Sequence, residues 1–86
     1  MNIRFTAQAL EDYRYWKAHD ETKMERIKKL LVNIAETPFN GIGKPEPLLF
    51  DLQGWWSRRI DREHRLVYKV QDGSITIASC RYHYSK

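Results

Sequence analysis

Asp72-Gly73 is the strongest turn signal in this chain, and it separates two alternating apolar stretches, LVYKV and SITIA. An Asp-Gly pair favours a two-residue type I′ turn, because both central residues of that turn take positive φ angles. A turn of this length sets the register of the hairpin that it closes. We therefore expect Val70 to pair with Ile75 and Arg65 to pair with Cys80 in two antiparallel strands.

A second hairpin is predicted upstream, in the stretch from Trp55 to Tyr68 (WWSRRIDREHRLVY), which contains four arginines between two aromatic ends. Its outer thirds alternate apolar and polar residues with the period of a strand. Side chains two residues apart on a strand share a face of the sheet. Arg59 and Arg65 are therefore expected to point away from a core that contains Trp56 and Tyr68.

This arginine-rich hairpin permits two interpretations. A planar guanidinium on a rigid sheet matches the geometry of a phosphate group, so the hairpin can serve as a phosphate-binding face. Alternatively, Asp61 and Glu63 neutralise the arginines and the hairpin is a solvated, salt-bridged surface, as most charge runs are. Taken alone, the stretch favours the solvated surface.

Downstream, a last strand over residues 74–81 would bring Tyr82, His83 and Tyr84 back beside the start of the strand at Arg65.

The N-terminal half predicts a short strand followed by two helices. The strand is expected over Ile3–Phe5, and Thr6 can cap a helix with apolar residues at helical spacing as far as Trp16. Asp20 is a second cap candidate, and Thr37-Pro38 ends the helix that follows it. The apolar stripe of that second helix comprises Met24, Ile27, Leu30, Leu31 and Ile34. The predicted fold class is α+β, a short N-terminal strand and a two-helix hairpin followed by an antiparallel sheet with the helices on one face.

Residues 38–47 (PFNGIGKPEP) contain two glycines and three prolines, so we expect an ordered surface loop rather than a helix. Loops of this length without secondary structure are often functional. Glu46 lies between two of the prolines, which stiffen the backbone and limit where its carboxylate can point. Leu48–Leu52 is expected to form a strand, and Gln53-Gly54 a turn into the arginine-rich hairpin.

Length and charge narrow the possible functions. A chain of 86 residues predicts one domain, residues 1–86, with any site on the surface of a single core. The 15 lysines and arginines exceed the 11 acids by four, which indicates an acidic partner, RNA or DNA ahead of a membrane.

The sequence also indicates what the chain lacks. Cys80 is the only cysteine, so neither an intrachain disulfide nor a thiolate metal cage can form, and no second ligand stands at metal spacing near His64. His64 is therefore expected to have a structural or exposed role. No motif for a nucleotide cofactor is present, so no cofactor and no metal are expected. No apolar run is long enough for a signal peptide or a membrane span, so we expect a soluble cytoplasmic protein with no membrane partner.

Three separated features are expected to converge at one end of the predicted sheet. These are the carboxylate of Glu46, the guanidinium groups of Arg59 and Arg65, and His83 between two tyrosines. Cleavage of RNA without a metal requires a base for the ribose 2′-hydroxyl, cations for the pentacoordinate phosphate and an acid for the departing 5′-oxygen. Glutamate, arginine and histidine fill these roles in that order, and the tyrosines can stack on unpaired bases. The alternative is that Glu46 is a solvated loop acid and His83 a frayed terminal residue.

Five segments together resemble a known protein family. They are Thr37–Phe39, Gly43–Leu48 (GKPEPL), Trp56–Ile60 (WSRRI), Glu63–Tyr68 (EHRLVY) and Cys80–Tyr84 (CRYHY). In these segments, and without gaps over nearly the whole chain, the sequence resembles the YoeB toxins of the RelE-like superfamily. The resemblance implies a RelE-like fold and a ribosome-dependent endoribonuclease that cuts mRNA in the A site of the 70S ribosome. It also implies inhibition of translation, neutralisation by a YefM-like antitoxin and a homodimer.

The resemblance implies a role for each matching site residue. The implied catalytic residues are Glu46 as general base, His83 as general acid, and Arg65 with Arg59 as phosphate stabilisers. Tyr84 is implied to shape the site, and Lys44, within the GKPEPL segment, is expected to bind RNA.

The chain departs from the family pattern in two places. Leu49 follows the Pro-Glu-Pro motif where relatives can carry a basic residue, and Ser85-Lys86 extends past the last tyrosine. Two non-catalytic functions are alternatives to the nuclease. One is a gyrase poison, which the same superfamily scaffold also supports, and the other is a ribosome-associated RNA-binding module without nuclease activity.

Overall fold

Two helices and a five-stranded mixed sheet form the fold. The computed structural model of the chain describes residues 1–82, so the predictions for His83, Tyr84 and Ser85-Lys86 lie outside the described residues. The elements are β1 (Asn2–Phe5), α1 (Ala7–His19), α2 (Glu21–Glu36), β2 (Glu46–Pro47), β3 (Trp56–Arg59), β4 (Arg65–Gln71) and β5 (Ser74–Ser79). This order confirms the predicted α+β class and the predicted order of strand, helical hairpin and sheet.

Both helices begin at the predicted caps. The Thr6 hydroxyl accepts a hydrogen bond from the amide of Ala9 at 3.1 Å, and the Asp20 carboxylate accepts one from the amide of Lys23 at 3.2 Å. Each cap satisfies an amide that has no partner within its own helix. The buried residues of α2 are Met24, Ile27, Leu30 and Ile34, four of the five residues in the predicted stripe. The helix ends at Glu36, just before Thr37-Pro38.

The sheet has the order β1-β5-β4-β3-β2, and its pairs are antiparallel except for β1 with β5, which are parallel. The antiparallel sheet predicted after the helices is confirmed, and β1 adds a parallel strand at its edge, a pairing that the sequence interpretation did not include. A parallel neighbour requires a long connection rather than a tight turn. The helical hairpin after β1 carries the chain away from that edge, and β5 returns to it only after the other strands.

The segment predicted as a strand over Leu48–Leu52 is also different. Only Glu46 and Pro47 pair with β3, and residues 50–52 form one 3₁₀ turn. The amide of Leu52 donates to the carbonyl of Leu49 at 3.1 Å, and that of Gln53 donates to the carbonyl of Phe50 at 3.0 Å. Phe50 has φ +56°, outside the extended region, so the segment cannot continue as a strand.

The hairpin at Asp72-Gly73 has the predicted turn, because both residues have positive φ angles of 51° and 75° and Val70 pairs with Ile75. The register prediction for Arg65 and Cys80 is wrong. A β-bulge between Val67 and Tyr68 shifts the pairing by one residue, so that Val67 lies opposite Ser79. The amide of Arg65 donates to the carbonyl of Tyr82 instead, at 3.0 Å.

One face of the sheet packs against the helices and the other is largely polar. The buried cluster between the layers includes Trp16, Ile27, Leu30, Leu66, Tyr68, Ile75 and Ile77. The face away from the helices carries Glu46, Ser57, Arg59, Arg65 and Lys69 by strand alternation. We call this second surface the open face. Within residues 1–82, neither helix is long and apolar enough to cross a bilayer.

Candidate active site

Three of the predicted site residues lie on the open face at the β2-β3-β4 edge. Glu46 pairs with Ser57, and two residues further along β3 Arg59 pairs with Arg65 of β4. Cross-strand partners share a face, and so do residues two apart on one strand. Glu46, Arg59 and Arg65 are therefore on one side of the sheet, as the strand alternation predicted for the two arginines.

These three side chains differ in exposure. Glu46 and Arg59 are exposed, whereas Arg65 is 8% exposed. The Nη1 atom of Arg65 donates to the carbonyl oxygens of Asp61 at 2.8 Å, His64 at 3.1 Å and Arg62 at 3.3 Å. These bonds fix the plane of the guanidinium against the β3-β4 turn. Within residues 1–82, Nε and Nη2 of Arg65 make no hydrogen bond.

The loop before Glu46 approaches the core closely at Gly43. Gly43 has φ +82°, and a Cβ added there would lie 2.9 Å from Leu30 Cδ2 and 3.3 Å from the carbonyl oxygen of Arg59. Its own carbonyl accepts from the Arg59 amide at 2.7 Å. A glycine is therefore required at this position by both conformation and space. Lys44 follows in an exposed position with φ +51°.

Arg58 determines the conformation of that loop, although the sequence interpretation placed it in a solvated charge run. Its side chain is 0% exposed and lies on the core face beneath the loop. Nη1 donates to the carbonyl of Ile42 at 3.0 Å and to the side chain of Asn33. Nη2 donates to the carbonyls of Thr37 at 2.6 Å and Asn40 at 2.9 Å. The solvated-surface interpretation is therefore wrong for Arg58. The signal that was available is its position two residues after Trp56, on the core face of β3.

Tyr68 extends this network into the sheet. Its hydroxyl accepts from Arg58 Nε at 3.1 Å and donates to the Pro38 carbonyl at 2.6 Å. Burial raises the pKa of Tyr68, and the hydrogen bond and positive charge of Arg58 offset this only in part. The hydroxyl is therefore protonated at neutral pH and available as a donor to the loop.

The acids of the hairpin do not neutralise its arginines. Asp61 pairs with Lys23 of α2 at 3.1 Å, and its Oδ1 accepts from the amides of Glu63 at 2.8 Å and His64 at 2.7 Å. Burial would raise the pKa of Asp61, but the His64 amide, Lys23 and the Glu63 amide outweigh it and lower the pKa. Among residues 1–82, no ion pair joins an arginine to a carboxylate. The proposed Asp61 and Glu63 salt bridges to arginine are therefore absent from this part of the chain.

Sequence reasoning also missed Asp12 of α1. Asp12 is 4% exposed, and its Oδ2 accepts from the amide of Cys80 at 3.0 Å. Burial, together with the charge of Asp12, raises the pKa of the Cys80 thiol to about 12. The signal was an acid at helical spacing from Ala9 and Trp16, inside the buried stripe of α1.

In the described part of the chain, no group of three or more His, Cys, Asp or Glu residues is arranged to hold a metal ion. The site that these residues form combines an exposed carboxylate with one fixed and one exposed guanidinium. Such an arrangement can bind a phosphodiester on the open face and accept a proton beside it.

Known proteins match this chain over almost its whole length. The family model of the YoeB-like toxin of bacterial type II toxin-antitoxin systems matches residues 5–84. Toxin YoeB of Streptomyces coelicolor is 52% identical over 84 residues, which cover 98% of this chain and 100% of that protein.

Two solved structures from Staphylococcus aureus have the same fold. The YoeB dimer has a TM-score of 0.91 and 50% identity, with 98% of each chain covered. The heterotetrameric complex of the YoeB-YefM toxin-antitoxin has a TM-score of 0.90 and 50% identity, again with 98% of each chain covered. The chain therefore belongs to the YoeB-like toxins of bacterial type II toxin-antitoxin systems.

Proposed function

We propose that this toxin is a ribosome-dependent endoribonuclease that cleaves mRNA in the ribosomal A site and thereby inhibits translation. The observation that carries the proposal is the placement of Glu46, Arg59 and Arg65 on one open face of the sheet. A carboxylate on the same face as two guanidinium groups provides a base and phosphate-binding cations. These are two of the three groups that cleavage of RNA by its own 2′-hydroxyl requires.

In the proposed reaction, Glu46 removes the proton from the 2′-hydroxyl, and the 2′-oxygen attacks the adjacent phosphorus. Arg65 and Arg59 stabilise the negative charge of the pentacoordinate phosphate. The bond from phosphorus to the 5′-oxygen breaks, and His83 donates a proton to that oxygen. The products are a 2′,3′-cyclic phosphate and a free 5′-hydroxyl. Because these side chains supply base, acid and positive charge, the reaction needs no metal ion.

The exposure of the site explains why the reaction would require a ribosome. Glu46, Arg59 and Lys44 are all exposed, and exposed side chains provide little to orient a flexible single strand. Orientation of the reacting groups accounts for a large part of most catalytic rate enhancements. The A site would supply that orientation by holding the mRNA, while Lys44 and Tyr84 contact the RNA beside the reacting phosphate.

We also propose that the toxin forms a homodimer and binds a YefM-like antitoxin. The YoeB-YefM complex and the YoeB dimer of the S. aureus relatives support both assemblies. The net charge of +4 and the arginines of the open face suit an acidic antitoxin segment that is disordered until it binds. Such a segment would cover the same face that the mRNA uses.

The proposed function is tested by primer extension on translating ribosomes with the purified protein. The unaltered protein should cut within the A-site codon, and Glu46→Gln should reduce the cleavage rate at least about 100-fold, because proton transfer by a positioned base contributes a factor of that order. A 2′-deoxy sugar at the scissile position should stop cleavage there. The first product should end in a 2′,3′-cyclic phosphate.

Asp51→Asn is the matched control, because Asp51 is an exposed acid only five residues from Glu46 and outside the proposed site. It should cleave like the unaltered protein. A first product with a 3′-hydroxyl and a 5′-phosphate would contradict the roles of Glu46 and His83. Binding of ribosomes with no cleavage at all would instead favour the non-catalytic RNA-binding module.

A further inference from the structure

The chain segment that leads into His83 is held through its backbone. The amide of Cys80 donates to Asp12 Oδ2 at 3.0 Å, and the Cys80 carbonyl accepts from Trp16 Nε1 at 2.7 Å. The amide of Tyr82 donates to His64 Nδ1 at 2.7 Å, and the Tyr82 carbonyl accepts from the amide of Arg65 at 3.0 Å. We call the side chains of Asp12, Trp16 and His64 the C-terminal clamp.

Tyr82 itself has a left-handed backbone conformation, with φ +64°. An aromatic residue adopts this region only when its surroundings impose it. Here both main-chain polar groups of Tyr82 are bonded to consecutive residues of one strand region, His64 and Arg65. Because the dihedral angles of Tyr82 set the direction in which the chain leaves it, the contact with His64 acts on that direction.

The hydrogen bond from the Tyr82 amide fixes the tautomer of the neutral His64 ring. A backbone N–H can only donate, so Nδ1 must carry a lone pair, and the neutral ring then has its proton on Nε2. The ring is 9% exposed and packs edge-on against Trp16, with 4.8 Å between the ring centroids. Nε2 lies 3.6 Å from the Glu63 carboxylate, beyond hydrogen-bond distance. His64 is therefore oriented as a fixed acceptor rather than as a reacting acid or base.

We propose that His64 is a positioning residue for His83, because it holds the left-handed turn at Tyr82 from which the chain continues into the general acid. This inference rests on the proposed function, in which His83 protonates the 5′-oxygen. This positioning role requires a hydrogen-bond acceptor at the position of Nδ1, and it requires no other atom of the imidazole. A misplacement of about 1 Å in a reacting group can reduce a rate about 100-fold.

Two substitutions separate this role from simple packing. In His64→Asn, the side-chain oxygen can occupy the place of Nδ1 and accept from Tyr82, whereas in His64→Gln the polar atoms reach only the place of Nε2. Cleavage is measured in single turnover, with toxin in excess over ribosomes and the toxin concentration varied. We expect His64→Gln to lower the cleavage rate at saturating toxin about 100-fold with the half-saturating toxin concentration within about threefold, and His64→Asn to retain the rate within about tenfold. His19→Gln, at the exposed end of α1, is the matched histidine control and should have no effect.

The decisive measurement is a double-mutant cycle with His83→Gln. If His64 acts through His83, adding His64→Gln to His83→Gln should not lower the rate further. In parallel, ¹⁵N NMR of the unaltered protein should show an unprotonated Nδ1 in His64, and His64→Gln should accelerate hydrogen exchange at the Tyr82 amide. The NMR measurements do not depend on catalysis.

The outcomes distinguish the two proposals. Normal cleavage by a folded His64→Gln variant, a fully additive double mutant, or a protonated Nδ1 in His64 would overturn the positioning role alone. Full cleavage by His83→Gln would overturn the assignment of His83 as the acid, and the positioning role would fall with it.

Discussion

The two segments that lead to the proposed base and the proposed acid are fixed by opposite chemistry. The loop over residues 37–43 turns its carbonyl oxygens toward one buried cation, Arg58. The segment over residues 80–82 is bonded instead through both amides and carbonyls, to Asp12, Trp16 and His64 from two different elements. The loop is therefore held mainly by one side chain, Arg58, with Tyr68 and Asn33 adding single bonds, whereas the C-terminal segment is held by several side chains that act independently.

This difference predicts how each segment responds to mutation. Removing one cation takes a charged donor from several acceptors at once, so the loop before Glu46 should be lost as a unit. Removing one member of the C-terminal clamp leaves the other bonds in place, so that segment should loosen gradually. The buried guanidinium is also irreplaceable by an apolar side chain, because its partners include main-chain carbonyls that no substitution can remove.

The largest expected effect is that of Arg58→Met. The Ile42 carbonyl would lose its one donor among residues 1–82, and a buried unsatisfied group costs about 1–3 kcal/mol. The Thr37 and Asn40 carbonyls and the Asn33 side chain would each lose a charged donor and keep a neutral one, and a hydrogen bond to a charged group contributes about 1.5–3 kcal/mol. We expect the free energy of unfolding in urea to fall by more than about 4 kcal/mol, which approaches the total stability of a small domain.

Arg59→Met is the matched control for stability, because Arg59 is the adjacent residue and its side chain is exposed. Its free energy of unfolding should stay within about 0.5 kcal/mol of the unaltered protein. Equal losses for the two variants would mean that Arg58 does not fix the loop.

A smaller effect is expected from Asp12→Ala, which leaves the buried amide of Cys80 without an acceptor while Trp16 and His64 remain bonded. The free energy of unfolding should fall by about 2 kcal/mol. Glu11→Ala, the adjacent exposed acid, should change it by less than about 0.5 kcal/mol.

The Cys80 thiol provides a second measurement of the clamp. It is 0% exposed and its pKa is raised to about 12, so it should react with thiol reagents only after the clamp opens. If Asp12→Ala weakens the clamp by about 2 kcal/mol, labelling should become about 30-fold faster. The opened thiol has an ordinary pKa in both proteins, so the loss of the Asp12 charge does not account for the change. An unchanged labelling rate would show that Asp12 does not hold the segment.

Local signals in the sequence predicted most of the elements. The caps at Thr6 and Asp20, the stop before Pro38 and the turn at Asp72-Gly73 depend on side chains within a few residues of each backbone group they affect. The parallel pairing of β1 and the bulge at Val67 depend on chain segments far away in sequence. No local pattern encodes those two features: the pairing of β1 was not predicted, and the register predicted for Arg65 and Cys80 was wrong.

The candidate site shows the same difference between features with a local sequence signal and features that depend on distant segments. Strand alternation placed Arg59 and Arg65 on one face, but the arginines were interpreted as a run of charge, and the core position of Arg58 was overlooked. The partners of Asp12 and His64 are main-chain amides 68 and 18 residues away, which carry no side-chain signal. A buried polar residue is visible in a sequence only as an exception in an apolar stripe, as Asp12 is.

The smallest expected effect concerns Asp61, which belongs to neither segment and caps the β3-β4 turn between them. Its pKa in the folded protein lies below the ordinary value for an aspartate, because amide bonds and Lys23 outweigh burial. A carboxylate whose pKa is lower in the folded than in the unfolded protein stabilises the fold at pH values above its unfolded pKa. That contribution is lost as the pH falls through the folded pKa. The side chain is 31% exposed, so we expect Asp61 to contribute less than about 1 kcal/mol to the free energy of unfolding at neutral pH.

Urea unfolding is measured between pH 3 and pH 7. The free energy of unfolding should fall less steeply toward low pH in Asp61→Asn than in the exposed control Asp51→Asn. High salt should screen the contribution of Lys23 and leave that of the two amides, so the remaining slope measures the turn alone. Identical acid limbs in the two variants would mean that Asp61 does not stabilise the turn.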